Sequence, residues 1–227
     1  MSGPGLATGL FADGAAGRYF GVYPAIVTDI VDPDGLGRVE VKFPWLGQQG
    51  DDDVRAWATL VSPYADDDQG FEVLPAVDTQ VLVAFEAGHL RRPYVLGSSW
   101  NGRESMPESP ASSNNKRLIK SRSGSLLEFD DTDGASKVTV SMQSGHKVVL
   151  DDAAQQVQVL HANGCSITMN AGGQAQIQAN STVEVTASFL NVHAATANFD
   201  GMITCTSVIC STGVISPSYT PGAGNIW

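Results

Sequence analysis

Positive charge is scarce in this chain, and it stops early. Of 227 residues, 13 are Lys or Arg against 24 Asp or Glu, for a net charge of -11, and none of the basic residues lies beyond Lys147. An acidic chain lacks the positive face that displaces counterions from a phosphate backbone, so no nucleic acid is expected as a partner. Cysteine is also rare. Cys165, Cys205 and Cys210 are an odd number without spaced pairs, which excludes a disulfide framework or a zinc site and leaves small buried hydrophobes as the expected role. On one extended strand Cys205 and Cys210 face opposite sides. No apolar run reaches the length of about 18 residues that a membrane helix needs. The start, Met1-Ser2-Gly3-Pro4-Gly5, has neither a basic nor an apolar leader core, so synthesis in the cytoplasm is expected. After Phe129 the aromatics are Phe189, Phe199, Tyr219 and Trp227, few for a surface that stacks on sugars.

What the chain does have is an internal repeat. Ser123-Gly124 is followed by Leu127 and Phe129, Ser144-Gly145 by Val148 and Leu150, and Asn163-Gly164 by Ile167 and Met169. The glycines are 21 and 19 residues apart, and the apolar residues stand three and five places after each. A second apolar pair follows in each unit: Val138 and Val140, Val157 and Val159, Ala175 and Ile177. Such a period marks stacked structural units. About four apolar side chains per unit cannot offset the entropy of ordering about 19 residues if the ribbon stands alone. Three copies around one axis would bury that face, turn the Ser/Thr/Gln face outward and pair strand edges between chains. A single-chain solenoid is the competing reading, and its preference for regular repeats fits the drifting period less well.

The preceding residues read differently. Ala25–Val31, Arg38–Phe43, Trp57–Val61, Gln80–Phe85 and Tyr94–Leu96 are short strands rich in branched residues or strictly alternating. Asp32-Pro33-Asp34-Gly35 between the first two is a turn. Five short strands without a helix fit a small closed barrel of the oligonucleotide/oligosaccharide-binding (OB) type. The expected organisation is an arm over 1–20, a barrel over 21–100, a Pro/Ser/Asn-rich connector over 101–122 and a repeat region over 123–227. Thr182–Phe189 again alternates and reads as a strand.

Asp32-Pro33-Asp34-Gly35-Leu36-Gly37-Arg38-Val39-Glu40-Val41-Lys42-Phe43-Pro44-Trp45, with the strand before it, resembles the first hairpin of the phage baseplate assembly protein V and VgrG family. Trp57–Ala65, Gly70–Pro75, Val81–Glu86, Arg92–Gly97, Asn114–Arg117 and Ser123–Asp131 follow in the family's order, and Gly88-His89-Leu90 departs from its usual Gly-Asp-Pro. The resemblance implies an all-β chain: an OB-fold barrel followed by an intertwined trimeric β-helix needle. It implies the central spike of a contractile injection machine, in a phage tail or a related particle, that caps the inner tube at the baseplate and pierces the target envelope. A receptor- or glycan-binding tail appendage is the alternative, and a hydrolytic spike the weaker one, since the short connector has no room for an inserted lysozyme-like domain.

The implied residue roles follow. Leu127, Phe129, Val138, Val140, Val148, Leu150, Val157, Val159, Ile167, Met169 and Ile177 are the expected trimer core. Lys116, Arg117, Lys120 and Arg122 form a basic cluster that could meet a hub or inner-tube protein, or simply be a solvated collar. Ile226 and Trp227 would offer a small apolar platform to a PAAR-type tip protein. Some spikes of this type hold an iron through a His-x-His pair, but here His193 stands alone, an axial ligand at most, and no cofactor is expected. His89, His146, His161 and His193 have no nucleophile motif beside them, so no enzyme activity is expected. The aspartate runs 51–53 and 66–68 lack ligand spacing and read as solvated loops.

Overall fold

The computed structural model describes residues 17–49 and 52–216. Its first unit contains β1 (Val22–Asp29), β2 (Arg38–Lys42), β3 (Gln48–Gln49), β4 (Asp52–Asp53), β5 (Arg55–Leu60), β6 (Ala65–Asp66), β7 (Gln69–Gly70), β8 (Gln80–Phe85) and β9 (Pro93–Ser98). Five of these close into a barrel in the order β1-β2-β5-β9-β8, antiparallel throughout except for the parallel pair β5·β9. The pairs β3·β4 and β6·β7 are small hairpins of their own.

Alternation explains why the barrel closes. Along β2, Val39 and Val41 are buried while Arg38, Glu40 and Lys42 are not, and β8 repeats this with Val81, Val83 and Phe85. These inward residues meet Ala25, Val27, Phe43, Ala58 and Val95 in one core. Phe43 and Phe85 pack at 5.5 Å between centroids, and Trp45 stacks on Tyr23 at 4.7 Å while its Nε1 donates to the Pro24 carbonyl. Closure also leaves the five-stranded barrel itself without an open sheet edge.

Two expectations need correction here. The first strand ends at Asp29, because the Asp29 carboxylate accepts from the Val31 amide and turns the chain early. The arm over 1–20 is not loose throughout. Tyr19 packs against Trp45 and Phe85, and its amide donates to the Gly88 carbonyl at 2.9 Å. Gly88 has φ +79, and a Cβ there would lie 2.9 Å from the Arg18 Cβ, so this contact requires glycine.

The second unit is one seven-stranded antiparallel meander: β10 (Lys116–Lys120), β11 (Leu126–Asp130), β12 (Lys137–Ser141), β13 (Lys147–Asp151), β14 (Gln156–Leu160), β15 (Ser166–Met169) and β16 (Ala175–Gln178). Each sequence repeat is therefore two antiparallel strands and two turns. Over these residues each strand finds a ladder partner in its own chain, and β10 and β16 each have one such neighbour. Residues 116–120, read as the end of a connector, are the first strand of this sheet. Residues 181–216 form no strand, and Thr182–Phe189 lacks the ladder its alternation suggested.

Candidate interaction face

The repeat glycines build one edge of the meander. Ser121 and Ser125 close the first turn, Met142 and His146 the second, and His161 and Cys165 the third, with amide-to-carbonyl distances of 2.8, 2.9 and 2.9 Å. In each turn the glycine amide donates back to the residue that opens it, from Gly124 to Ser121, Gly145 to Met142 and Gly164 to His161. The glycines have φ of +83, +98 and +94, the left-handed region that a three-residue hairpin loop demands. Successive turns stack. A Cβ on Gly145 would touch the Ala162 Cβ at 3.4 Å, and the Asn180 amide donates to the Asn163 carbonyl. The opposite edge carries Asp131-Thr132-Asp133-Gly134 and Asp152-Ala153-Ala154-Gln155, where Gly134 and Gln155 take positive φ.

Register then decides which side chains share a face. Leu127 stands opposite Val140, which stands opposite Val148, then Val159, Ile167 and Ile177. Beside that row runs a second: Phe129, Val138, Leu150, Val157, Met169 and Ala175. All eleven expected core residues thus fall in two adjacent rows on one face, because alternation along each strand and antiparallel register place them there. The other face has Glu128, Thr139, Gln158, Thr168 and Gln176 in its central row, with Leu118 and Val149 as that row's apolar members and Leu126 and Leu160 in the row beside it.

Among the described residues nothing covers the middle of this apolar face. Phe129, Val140, Leu150, Val159 and Met169 are 44–48% exposed, and Ile177 reaches 64%. Residues 181–216 continue the pattern, with Phe189 at 88%, Met202 at 93% and Ile209 at 96%. Soluble monomers rarely leave contiguous apolar surface on this scale, so the face has the make-up of a contact surface.

The basic cluster does not stay together. Lys116 reaches Glu108 at 3.5 Å and Glu128 at 3.7 Å, and Glu128 first, then Glu108, holds its ammonium above the usual lysine range. Arg117 pairs with Asp131 at 2.7 Å. Lys120 and Arg122 lie at the glycine-turn edge, across the sheet from both. Asp130, buried beneath this network, accepts from the Thr132 hydroxyl at 2.6 Å and from its amide. Those bonds, helped by Lys137 and Lys116, hold its carboxyl below the ordinary range.

Among the described residues no three His, Cys, Asp or Glu side chains gather as a metal group. His193, Cys205 and Cys210 are exposed on the strandless stretch, so the burial expected of the cysteines is absent there. Cys165 is half-buried at the third turn. Asp53 is engaged with Lys42 and Arg55, and Asp66–Asp68 sit on the β6·β7 hairpin. Ile226 and Trp227 lie outside the described residues. Sequence reasoning missed the pairing of His146 with His161, whose rings are 4.2 Å apart. Their places on the same edge, His146 just after the second repeat glycine and His161 three residues before the third, were the signal available.

Comparison with known proteins agrees with this architecture. Residues 23–100 match the type VI secretion system/phage-baseplate injector OB domain. The chain is similar to the type VI secretion system spike protein VgrG4b of Pseudomonas aeruginosa, 29% identical over 137 residues, covering 56% of this chain and 17% of that protein. It is similar to the spike protein VgrG3 of Vibrio cholerae, 21% identical over 124 residues (52% and 12%). A third relative is the actin cross-linking toxin VgrG1 of Vibrio cholerae, 22% identical over 151 residues (61% and 14%). The chain spans less than a fifth of the length of these relatives. With its closed barrel coinciding with the matched residues, this chain is a relative of the phage baseplate V and VgrG-type spike proteins.

Proposed function

We propose that this chain is the structural central spike of a contractile injection machine. It works as a homotrimer that caps the inner tube at the baseplate and leads it through the target envelope. The observation that carries the reading is the two-row apolar face, complete over the six strands β11 to β16 and open to solvent. Three such sheets with these faces turned to a common axis form a dry prism. The stretch 181–216, whose apolar side chains also lack cover, then wraps with its two counterparts, so that intertwining belongs to this stretch. Stiffness comes from ladders that are already closed within each chain, joined by a shared core.

The relatives' roles as type VI secretion system spikes support the same reading. The acting energy comes from sheath contraction, so the chain needs no cofactor and carries no catalytic group. Hub or inner-tube proteins meet the barrel end, a PAAR-type tip protein meets the end carrying Ile226 and Trp227, and the target membrane is touched only during firing. The chain is made in the cytoplasm and assembled into the baseplate of a phage tail or related injection particle.

Electron microscopy of particles from cells with and without the chain tests this. Wild type should place density at the baseplate end of the tube, and Val159→Asp should abolish it. Normal, firing particles in cells lacking the chain would overturn the proposal.

A further inference from the structure

The two long edges of the meander carry opposite charge. On the glycine-turn edge the ionised side chains are Lys120, Arg122 and Lys147, and no carboxylate of residues 116–178 lies there. On the other edge stand Asp130, Asp131, Asp133, Asp151 and Asp152. Part of this acidic edge is compensated at home, since Arg117 takes Asp131 and Lys137 stands in register with Asp130. The remainder is not. Lys120, Arg122 and Lys147 are exposed and form no ion pair among the described residues, and the same holds for Asp133 and Asp152. In a chain of net charge -11, three exposed cations grouped on an edge without a carboxylate call for an anionic partner.

We propose that the glycine-turn edge of one copy docks against the aspartate edge of a second, parallel copy, with Lys147 facing Asp152. This rests on the reading that copies of the chain bury the apolar face together. Copies related by rotation about an axis along the stack keep each strand at the same height. β13 begins at Lys147 and runs to Asp151, with Asp152 next, so the end of one β13 meets the start of its neighbour's, cation against anion. Lys120 and Arg122 meet Asp131 and Asp133 of the neighbour about one strand away, roughly 4.8 Å, within reach of a long side chain. An antiparallel copy would instead set Lys147 against the other copy's basic edge and leave the carboxylates facing each other. The charge pattern therefore selects a parallel, head-to-tail contact that closes into a ring.

Paired cysteines in the full chain test it. Lys147 and Asp152 stand at opposite ends of one strand, roughly 17 Å apart at about 3.4 Å per residue. A disulfide spans only about 4.4–6.8 Å between Cα atoms, so Lys147→Cys with Asp152→Cys can join only different copies. With Cys165, Cys205 and Cys210 replaced by Ser, oxidation should give covalent dimers and trimers on a non-reducing gel, absent from either single variant. Charge reversal gives a second readout: Lys147→Glu and Asp152→Lys should each weaken assembly by about tenfold at low salt, and the combination should recover most of it. A wild-type trimer whose double-cysteine variant crosslinks no better than the singles, with purely additive reversals, overturns the edge contact alone. A wild type that stays monomeric overturns both the contact and the reading beneath it.

Discussion

Arg38 grips Asp32 with both ends of its guanidinium fork: Nη2 donates to Oδ1 at 2.7 Å and Nε to Oδ2 at 2.9 Å. The same carboxylate accepts from the amides of Asp34, Leu36 and Arg38, so one side chain organises the whole turn between β1 and β2. The Arg38 bond is the largest cause holding the Asp32 carboxyl far below its usual range, and Asp32 in turn raises Arg38.

Acid should therefore loosen the barrel in a defined window. Because the folded Asp32 is more acidic than the unfolded one, its contribution is fully present above the ordinary carboxylate pKa of about 3.9 and is lost as pH falls below it. Unfolding followed by Trp45 fluorescence should show stability declining below about pH 4. Asp32→Asn should lower stability at pH 7 and flatten that decline. A variant with an unchanged acid limb would show that the pair does not matter.

Packing makes a second contrast. Phe43 is 1% exposed at the centre of the barrel core, and Phe43→Ala should cost about 3–5 kcal/mol in denaturant unfolding. Val159→Asp, on the open face, should leave the barrel's unfolding unchanged while preventing assembly. Equal losses of barrel stability in both variants would argue against separate roles for the two units.

The repeat glycines supply a third. Gly145 has φ +98, and Gly145→Ala should cost about 1 kcal/mol or more through backbone strain, with the new Cβ also meeting the Ala162 Cβ at 3.4 Å. Gly97, where no positive φ is required and a Cβ meets open space, is the control for which Gly97→Ala should cost less. Thermal unfolding of the two variants checks the difference.

The barrel was legible in the sequence because both edges of every strand are satisfied inside the chain. Val39 and Val41, or Val81 and Val83, alternate with polar neighbours and have only one place to go. The repeat was equally visible, yet its meaning was not. A spacing of 19–21 residues fits one wrap around an axis or two antiparallel strands with their turns, and Gly124, Gly145 and Gly164 suit either. Strand β10 was hidden because Lys116, Arg117 and Lys120 surround its two apolar residues and mask the alternation. Edge charge became readable only once register placed Lys147 and Asp152 at opposite ends of β13. Residues 181–216 form no strand, and alternation at Val183 and Val185 could not announce that, because periodicity alone does not say whether a ladder partner is available.

The central claim is that this chain is complete only as a set of three. Mass measurement in solution, by light scattering on the purified full chain, tests it most directly. The account predicts a species of three 23.8 kDa chains that Val159→Asp reduces to one. A folded, monodisperse 23.8 kDa monomer at micromolar concentration would contradict it.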